Sequence, residues 1–157
     1  MLLRSRAKEE FNIEIPNNIK KIRSFAFGKT GIEEIVIPNT VTEMQRSVFY
    51  NCKDLEKVTF EEPSGDNKGI STLPYNTFEL CTSLEDVKLS NGIVTVGDNA
   101  FLNCTSLVSF KAPDSVKNYG TSVFENCSKL KEYIFSDSVE NIGNSLFVNC
   151  KELVKVV

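Results

Sequence analysis

The residues of this chain best suited to chemistry are five cysteines: Cys52, Cys81, Cys104, Cys127 and Cys150. A thiolate can ligate a metal or attack an electrophile, and two thiols can pair as a disulfide. The spacing argues against each use. Successive cysteines stand 29, 23, 23 and 23 residues apart, whereas a thiolate metal site draws on close pairs such as C-x-x-C. An odd number of cysteines, most at one fixed spacing, is a poor disulfide framework, and free thiols suit a reducing compartment. The chain has no histidine. Neither a Cys-His nor a Ser-His-Asp constellation can form, nor a His-containing zinc site. The sequence therefore implies no enzyme, no cofactor and no metal.

Other suggestive groups are equally incomplete. Gly28-Lys29-Thr30 matches the end of a phosphate-binding loop, but that loop needs a glycine where Arg23 stands. Asn103-Cys104-Thr105 and Asn126-Cys127-Ser128 have the form of glycosylation acceptors, yet their Asn and Cys recur elsewhere at the same spacing. Glu61, Glu62 and Asp66 can attract a cation without following a calcium-loop pattern. A net charge of −3 leaves no basic footprint for nucleic acid. No apolar run reaches the roughly 20 residues of a membrane helix, so no membrane insertion is expected. The first ten residues lack the apolar core of a signal peptide. That predicts a cytoplasmic chain, with a cell-surface fragment as the alternative.

The elements that hold the cysteines explain them. Phe49, Phe78, Phe101, Phe124 and Phe147 each precede a Cys by three residues. Leu55, Leu84, Leu107, Leu130 and Leu153 each follow one by three, and Val58, Val87, Phe110, Tyr133 and Val156 come three later. A fixed period of this kind marks a solenoid, in which stacked units bury a face that one unit cannot. The cysteines then form an inward column of small apolar groups. Ile19, Ile22 and Phe27 match Val41, Met44 and Phe49 as a weaker copy, with Thr30 at the Cys place. The period-2 alternation of Val58-Thr59-Phe60 and Val87-Lys88-Leu89 predicts half-buried strands. Asp98-Asn99-Ala100-Phe101-Leu102 suits a short helical turn, closed by Asn103; Asn51, Asn126 and Asn149 take the same place.

Written out, the unit is Ile-Pro-x-x-Val-x-x-Ile-x-x-x-x-Phe-x-x-Cys-x-x-Leu-x-x-Val, with good copies at Ile37–Phe60 and Ala112–Phe135. This pattern resembles the BspA-like class of leucine-rich repeats of bacterial surface proteins and protozoan parasites. The resemblance implies a right-handed leucine-rich repeat solenoid and a role in adhesion or protein binding. The expected fold is an α/β repeat, β-rich with short helical turns and a parallel sheet on one face. Residues 1–12 are read as an N-terminal cap segment and 13–157 as a single domain of about six repeats.

Three features stand outside the repeat. Nine residues, Glu61 to Gly69, occupy a turn that holds three in other units. Such insertions form loops on one face, and loops often bind. Glu61, Glu62, Asp66 and Lys68 are its candidate contacts. Second, two outward strand columns are predicted. One runs Asn12, Glu34, Lys57, Asp86, Ser109, Glu132, Lys155, the other Glu14, Val36, Thr59, Lys88, Lys111, Ile134, Val157. An extended face of this kind is the usual binding surface of a solenoid, although here it lacks aromatic or Arg anchors. The candidate partner-binding residues on it are Glu34, Lys57, Thr59, Asp86, Lys88, Lys111, Glu132 and Ile134. Third, Leu153-Val154-Lys155-Val156-Val157 is an apolar strand with an open edge. It predicts a homo-oligomer formed through Lys155, Val156 and Val157. The functional expectation is a protein-binding scaffold, with a surface adhesin or antigen as the alternative.

Overall fold

The computed structural model describes residues 13–157. The predicted cap segment, with Asn12 in it, lies outside them. Twelve short strands alternate between two faces. The odd strands are β1 (Lys21–Ile22), β3 (Glu43–Met44), β5 (Thr72–Leu73), β7 (Thr95–Val96), β9 (Asn118–Tyr119) and β11 (Asn141–Ile142). The even strands are β2 (Glu34–Ile37), β4 (Lys57–Phe60), β6 (Asp86–Lys88), β8 (Ser109–Phe110), β10 (Glu132–Tyr133) and β12 (Lys155–Val156). Every strand pairing is parallel and links odd with odd or even with even. One odd and one even strand thus make one turn of the solenoid.

Hydrophobic alternation sets the inward side. β2 and β4 expose Glu34 and Lys57 and bury Ile35, Ile37, Val58 and Phe60. The odd strands have two residues each and bury one side chain, such as Met44, Leu73, Val96 and Tyr119, except β11, which leaves both Asn141 and Ile142 exposed. Parallel sheet therefore lies on two faces, where the sequence suggested one. Each face is interrupted once: β3 is not paired with β5, nor β6 with β8. The first gap falls at the unit carrying the insertion.

The expected helical turns are absent, and no helix occurs among the described residues. Residues of left-handed backbone are the physical reason. Ser47 and Asn51, Asn76 and Leu80, Asn99 and Asn103, Ser122 and Asn126, and Ser145 and Asn149 all have positive φ, near +60°. A left-handed residue at each end of the segment prevents a right-handed helix from propagating. Amide hydrogens between them then alternate. The Leu102 and Cys104 amides bond three residues back, to Asn99 and Phe101. The Asn99, Phe101 and Asn103 amides bond across to Thr121, Val123 and Glu125 of the next turn. A third ladder results, closing the solenoid without a helix. The asparagines do close these segments by left-handed geometry, as the sequence suggested.

The core runs the length of the stack. Phe27, Phe49, Phe78, Phe101, Phe124 and Phe147 stack in one column, ring centroids 5.3–5.7 Å apart and planes within 17°. These separations fall in the favourable range for aromatic pairs. Glycines let turns approach on the odd side. A β-carbon on Gly120 would meet Asp98 Oδ1 at 2.3 Å, and one on Gly143 would meet the Gly120 carbonyl carbon at 2.4 Å. Phe124, Cys127, Leu130 and Tyr133 are wholly buried, whereas Phe147, Cys150 and Leu153 are only partly covered. Val154, Val156 and Val157 are exposed.

Candidate functional site

The cysteines build a ladder. Each Sγ donates to the carbonyl oxygen of the phenylalanine one turn earlier. Cys52 reaches Phe27 at 2.9 Å, Cys81 reaches Phe49 at 3.1 Å, and Cys104 reaches Phe78 at 3.2 Å. Cys127 reaches Phe101 at 3.2 Å and Cys150 reaches Phe124 at 3.1 Å. A thiol is a weak donor, but here it supplies volume and a proton to a carbonyl facing the core. Burial pushes the thiols of Cys81, Cys104 and Cys127 up, and that of Cys150 to about 11. Cys52 departs from this: the neighbouring Cys81 and then Thr30 pull its thiol down to about 6, against its burial. Its 2.9 Å contact with the Phe27 carbonyl still requires the proton, so the thiol form is the one that fits. All five are free, four of them buried. The column is structural, and it is more polar than the sequence alone suggested.

The even-strand face carries the predicted surface columns, in register on either side of the gap between β6 and β8. Glu34 pairs with Lys57 and Lys57 with Asp86; Ser109, Glu132 and Lys155 continue across β8, β10 and β12. Val36, Thr59 and Lys88 form the second column. Lys111 and Ile134 directly follow β8 and β10, and the Val157 amide bonds the Tyr133 carbonyl. The ion pairs among the described residues, Lys21–Glu43, Lys117–Glu140 and Lys131–Glu152, involve none of these side chains. Lys57, Lys88 and Lys111, with Asp86 and Asp114, line an open groove of 680 Å³ that Asn91 and Pro113 also border. Lys88 and Lys111 are thus exposed like charges on consecutive turns, bordering one depression. A second groove, of 360 Å³, continues past Lys111 to Glu132 and Ile134.

The insertion behaves differently from a free loop. Glu61 accepts a bond from the Asn39 amide at 3.1 Å, reaching back one turn. Glu62 reaches forward and accepts from the Asn91 amide at 2.9 Å and from Asn91 Nδ2 at 3.2 Å. Asn39 Nδ2 donates to the Glu62 carbonyl, Ser64 pairs with Asn67, and Lys68 Nζ reaches the Gly65 carbonyl. Glu61 and Glu62 strap adjacent turns together, so their carboxylates are already engaged. Asp66 is exposed at the tip. The strap explains how a longer turn fits between regular neighbours.

Sequence reasoning missed one cluster. Phe25, Arg46, Tyr50 and Tyr75 gather at the corner between the odd strands and the third ladder. Phe25 packs edge-on against Tyr50, with centroids 5.9 Å apart. Arg46 lies 5.9 Å from the Tyr75 ring centroid and donates to its hydroxyl at 3.3 Å. Phe25 is 52% exposed and Tyr75 48%. The available signal was Phe25 itself, since the matching positions of later units hold only Ser or Asn.

Comparison with known proteins agrees with this architecture. The model of the BspA type leucine-rich repeat region matches residues 9–93 and 65–157, in six copies. A leucine-rich repeat protein of T. pallidum superposes with a TM-score of 0.77 at 24% identity, covering 96% of this chain and 69% of that one. One from Bacteroides ovatus gives 0.71 at 34% identity, with 91% of this chain and 41% of that one covered. A third, from Eubacterium ventriosum, gives 0.58 at 22% identity and covers 93% and 47%. The chain thus spans less than half the length of two of these relatives. No curated protein matches the sequence.

Proposed function

This chain belongs to the BspA type leucine-rich repeat family, and from that premise we propose that it is a non-enzymatic protein-binding scaffold. Its docking surface is the even-strand face, and its partner presents acidic side chains there. The observation that carries this reading is the pair Lys88 and Lys111, exposed on consecutive turns beside one groove and outside every ion pair of the described residues. Neighbouring like charges repel, and a partner carboxylate between them relieves that repulsion. Val36 and Ile134 extend the face with exposed apolar surface. The non-enzymatic reading is supported by a sequence without histidine and by the commitment of the cysteines to the core.

The test is affinity capture from the source cell with the immobilised chain, beside the Lys88→Glu/Lys111→Glu double variant. A partner retained by the first and lost from the second supports the reading. A partner list that the double variant leaves unchanged removes it.

Two subsidiary proposals accompany this one. The exposed strand β12 pairs with a second copy through Lys155, Val156 and Val157. Its test is the solution mass at several concentrations, with Val156 and Val157 changed to Lys. A wild-type chain that stays monomeric throughout overturns it. The family resemblance also favours a surface adhesin as a second reading. Labelling intact and permeabilised cells separates the two locations, and signal only after permeabilisation removes the adhesin.

A further inference from the structure

Phe25 breaks the local rules twice. Its backbone has φ +59°, in the left-handed region that a bulky side chain seldom adopts. The equivalent residues of later turns are Ser47, Asn76, Asn99, Ser122 and Ser145, all left-handed and all small or polar. Asn tolerates that geometry, and a short Ser strains it less than a ring does. The Phe25 side chain does not repay the strain by filling the core, because the residue is 52% exposed. Strained, exposed aromatic residues of this kind concentrate at binding sites.

Its surroundings indicate what would bind. The Phe27 amide donates to the Val48 carbonyl, which aligns the two segments and sets Phe25 beside Ser47, one residue from Arg46. Tyr50 meets the Phe25 ring, and Arg46 rests against Tyr75. Arg46 and the neighbouring Arg23 are exposed, and neither enters an ion pair among the described residues. Glu79, which takes the place of Tyr50 on the next turn, has its carboxylate engaged by Asn76 Nδ2. Cation and aromatic surface therefore lie together, and among the described residues no acid forms an ion pair with them. Tyr and Arg are also the residues most enriched at the energetic centres of protein interfaces.

We propose that Phe25, Arg46, Tyr50 and Tyr75 form a second docking site, for a peptide segment that sets an Asp or Glu beside an aromatic or large aliphatic side chain. The carboxylate pairs with Arg46 while the apolar group packs on Phe25 and Tyr50. The site rests on reading the chain as a binding scaffold, but it lies away from the lysine groove and does not depend on it.

The experiment is selection of a displayed library of random peptides on the full chain, followed by affinity measurement for the recovered peptides. Recovered peptides are expected to carry an acidic residue beside an apolar one, and to bind the wild type and the Lys88→Glu/Lys111→Glu variant alike. Binding should fall about tenfold or more with Phe25→Asn and with Arg46→Ala, as for a central interface residue. The Phe25→Asn chain should melt at or above the wild-type temperature, since Asn relieves the backbone. A lower melting temperature would show that Phe25 serves packing and would overturn the site. Peptides lacking acidic residues, peptides that bind Phe25→Asn undiminished, or a glycan array bound through Phe25 and Tyr75 would also overturn it. If every peptide depends on Lys88 and Lys111 alone, this site fails and the even-strand reading stands. If no peptide binds at all, this site fails, and partner capture decides the even-strand reading separately.

Discussion

The Cys104 thiol donates to the Phe78 carbonyl oxygen of the preceding turn at 3.2 Å, and both residues are wholly buried. One side chain thus supplies core volume and a hydrogen-bond donor at the same place. The two contributions can be separated. Cys104→Val loses the donor while keeping the site filled with a somewhat larger apolar group; Cys104→Ser keeps a donor and loses volume; Cys104→Ala loses both. Alanine is expected to cost about 2 kcal/mol, from a small cavity plus a lost bond. Serine and valine should each cost less than alanine in denaturant unfolding. A valine variant as stable as wild type would show that the thiol proton contributes nothing.

The glycine column gives a sharper contrast. A β-carbon on Gly120 would lie 2.6 Å from the Asp98 backbone nitrogen, whereas one on Gly31 would meet only Asp54 Oδ2 at 3.6 Å. Gly120→Ala should lower stability by about 2 kcal/mol through overpacking. Gly31→Ala should be neutral, or should gain about 0.5 kcal/mol from reduced freedom of the unfolded chain. Thermal melts of the two variants decide this; equal melting temperatures would contradict the close approach of turns.

Burial raises the proton affinity of Cys81, Cys104, Cys127, Tyr119 and Tyr133 above that of the unfolded chain. Tyr133 also donates to the Tyr119 hydroxyl at 2.6 Å inside the core. The folded state therefore holds protons that the unfolded state releases at high pH. Each group's contribution is complete below its unfolded pKa, roughly 8.5 for Cys and 10 for Tyr, and is lost as pH rises beyond it. The melting temperature should fall steadily as pH rises from about 8 through the Cys and Tyr range. A melting temperature independent of pH across that range would refute the burial of these groups.

The strap makes a prediction about the insertion. Glu62 accepts two hydrogen bonds from Asn91, one from its amide and one from its side chain. Glu62→Ala should cost about 1 kcal/mol as these bonds are lost, and should raise amide exchange at Asn91. Asp66→Asn, at the exposed tip, should leave both unchanged. Equal effects of the two changes would return Glu62 to the role of a free surface carboxylate.

Much of this was legible in the sequence, because the repeat carries it. Phe, Cys and Leu at fixed offsets locate the core columns, and the alternation in Val58-Thr59-Phe60 orients the even strands. The register follows, since Lys57 can oppose only Glu34 and Asp86 if Val58 is to stack on Ile35 and Val87. The third side was not legible. A run such as Asp98 to Leu102 has helical composition, and only the paired left-handed residues at Asn99 and Asn103 redirect its amides to the next turn. Two-residue odd strands such as Thr95–Val96 are too short to show a period. The Phe25 corner was hidden for a related reason. Its rings come from three successive turns and meet only once the stack is built.

We propose that the even-strand face docks an acidic partner through Lys88 and Lys111. The most direct measurement is the dissociation constant of a captured partner for the wild type and for Lys88→Glu/Lys111→Glu, at low and at moderate salt. The double variant should bind about a hundredfold more weakly at low salt, and added salt should weaken the wild type more than the variant. Equal affinities for the two chains, with no difference in salt dependence, would contradict it.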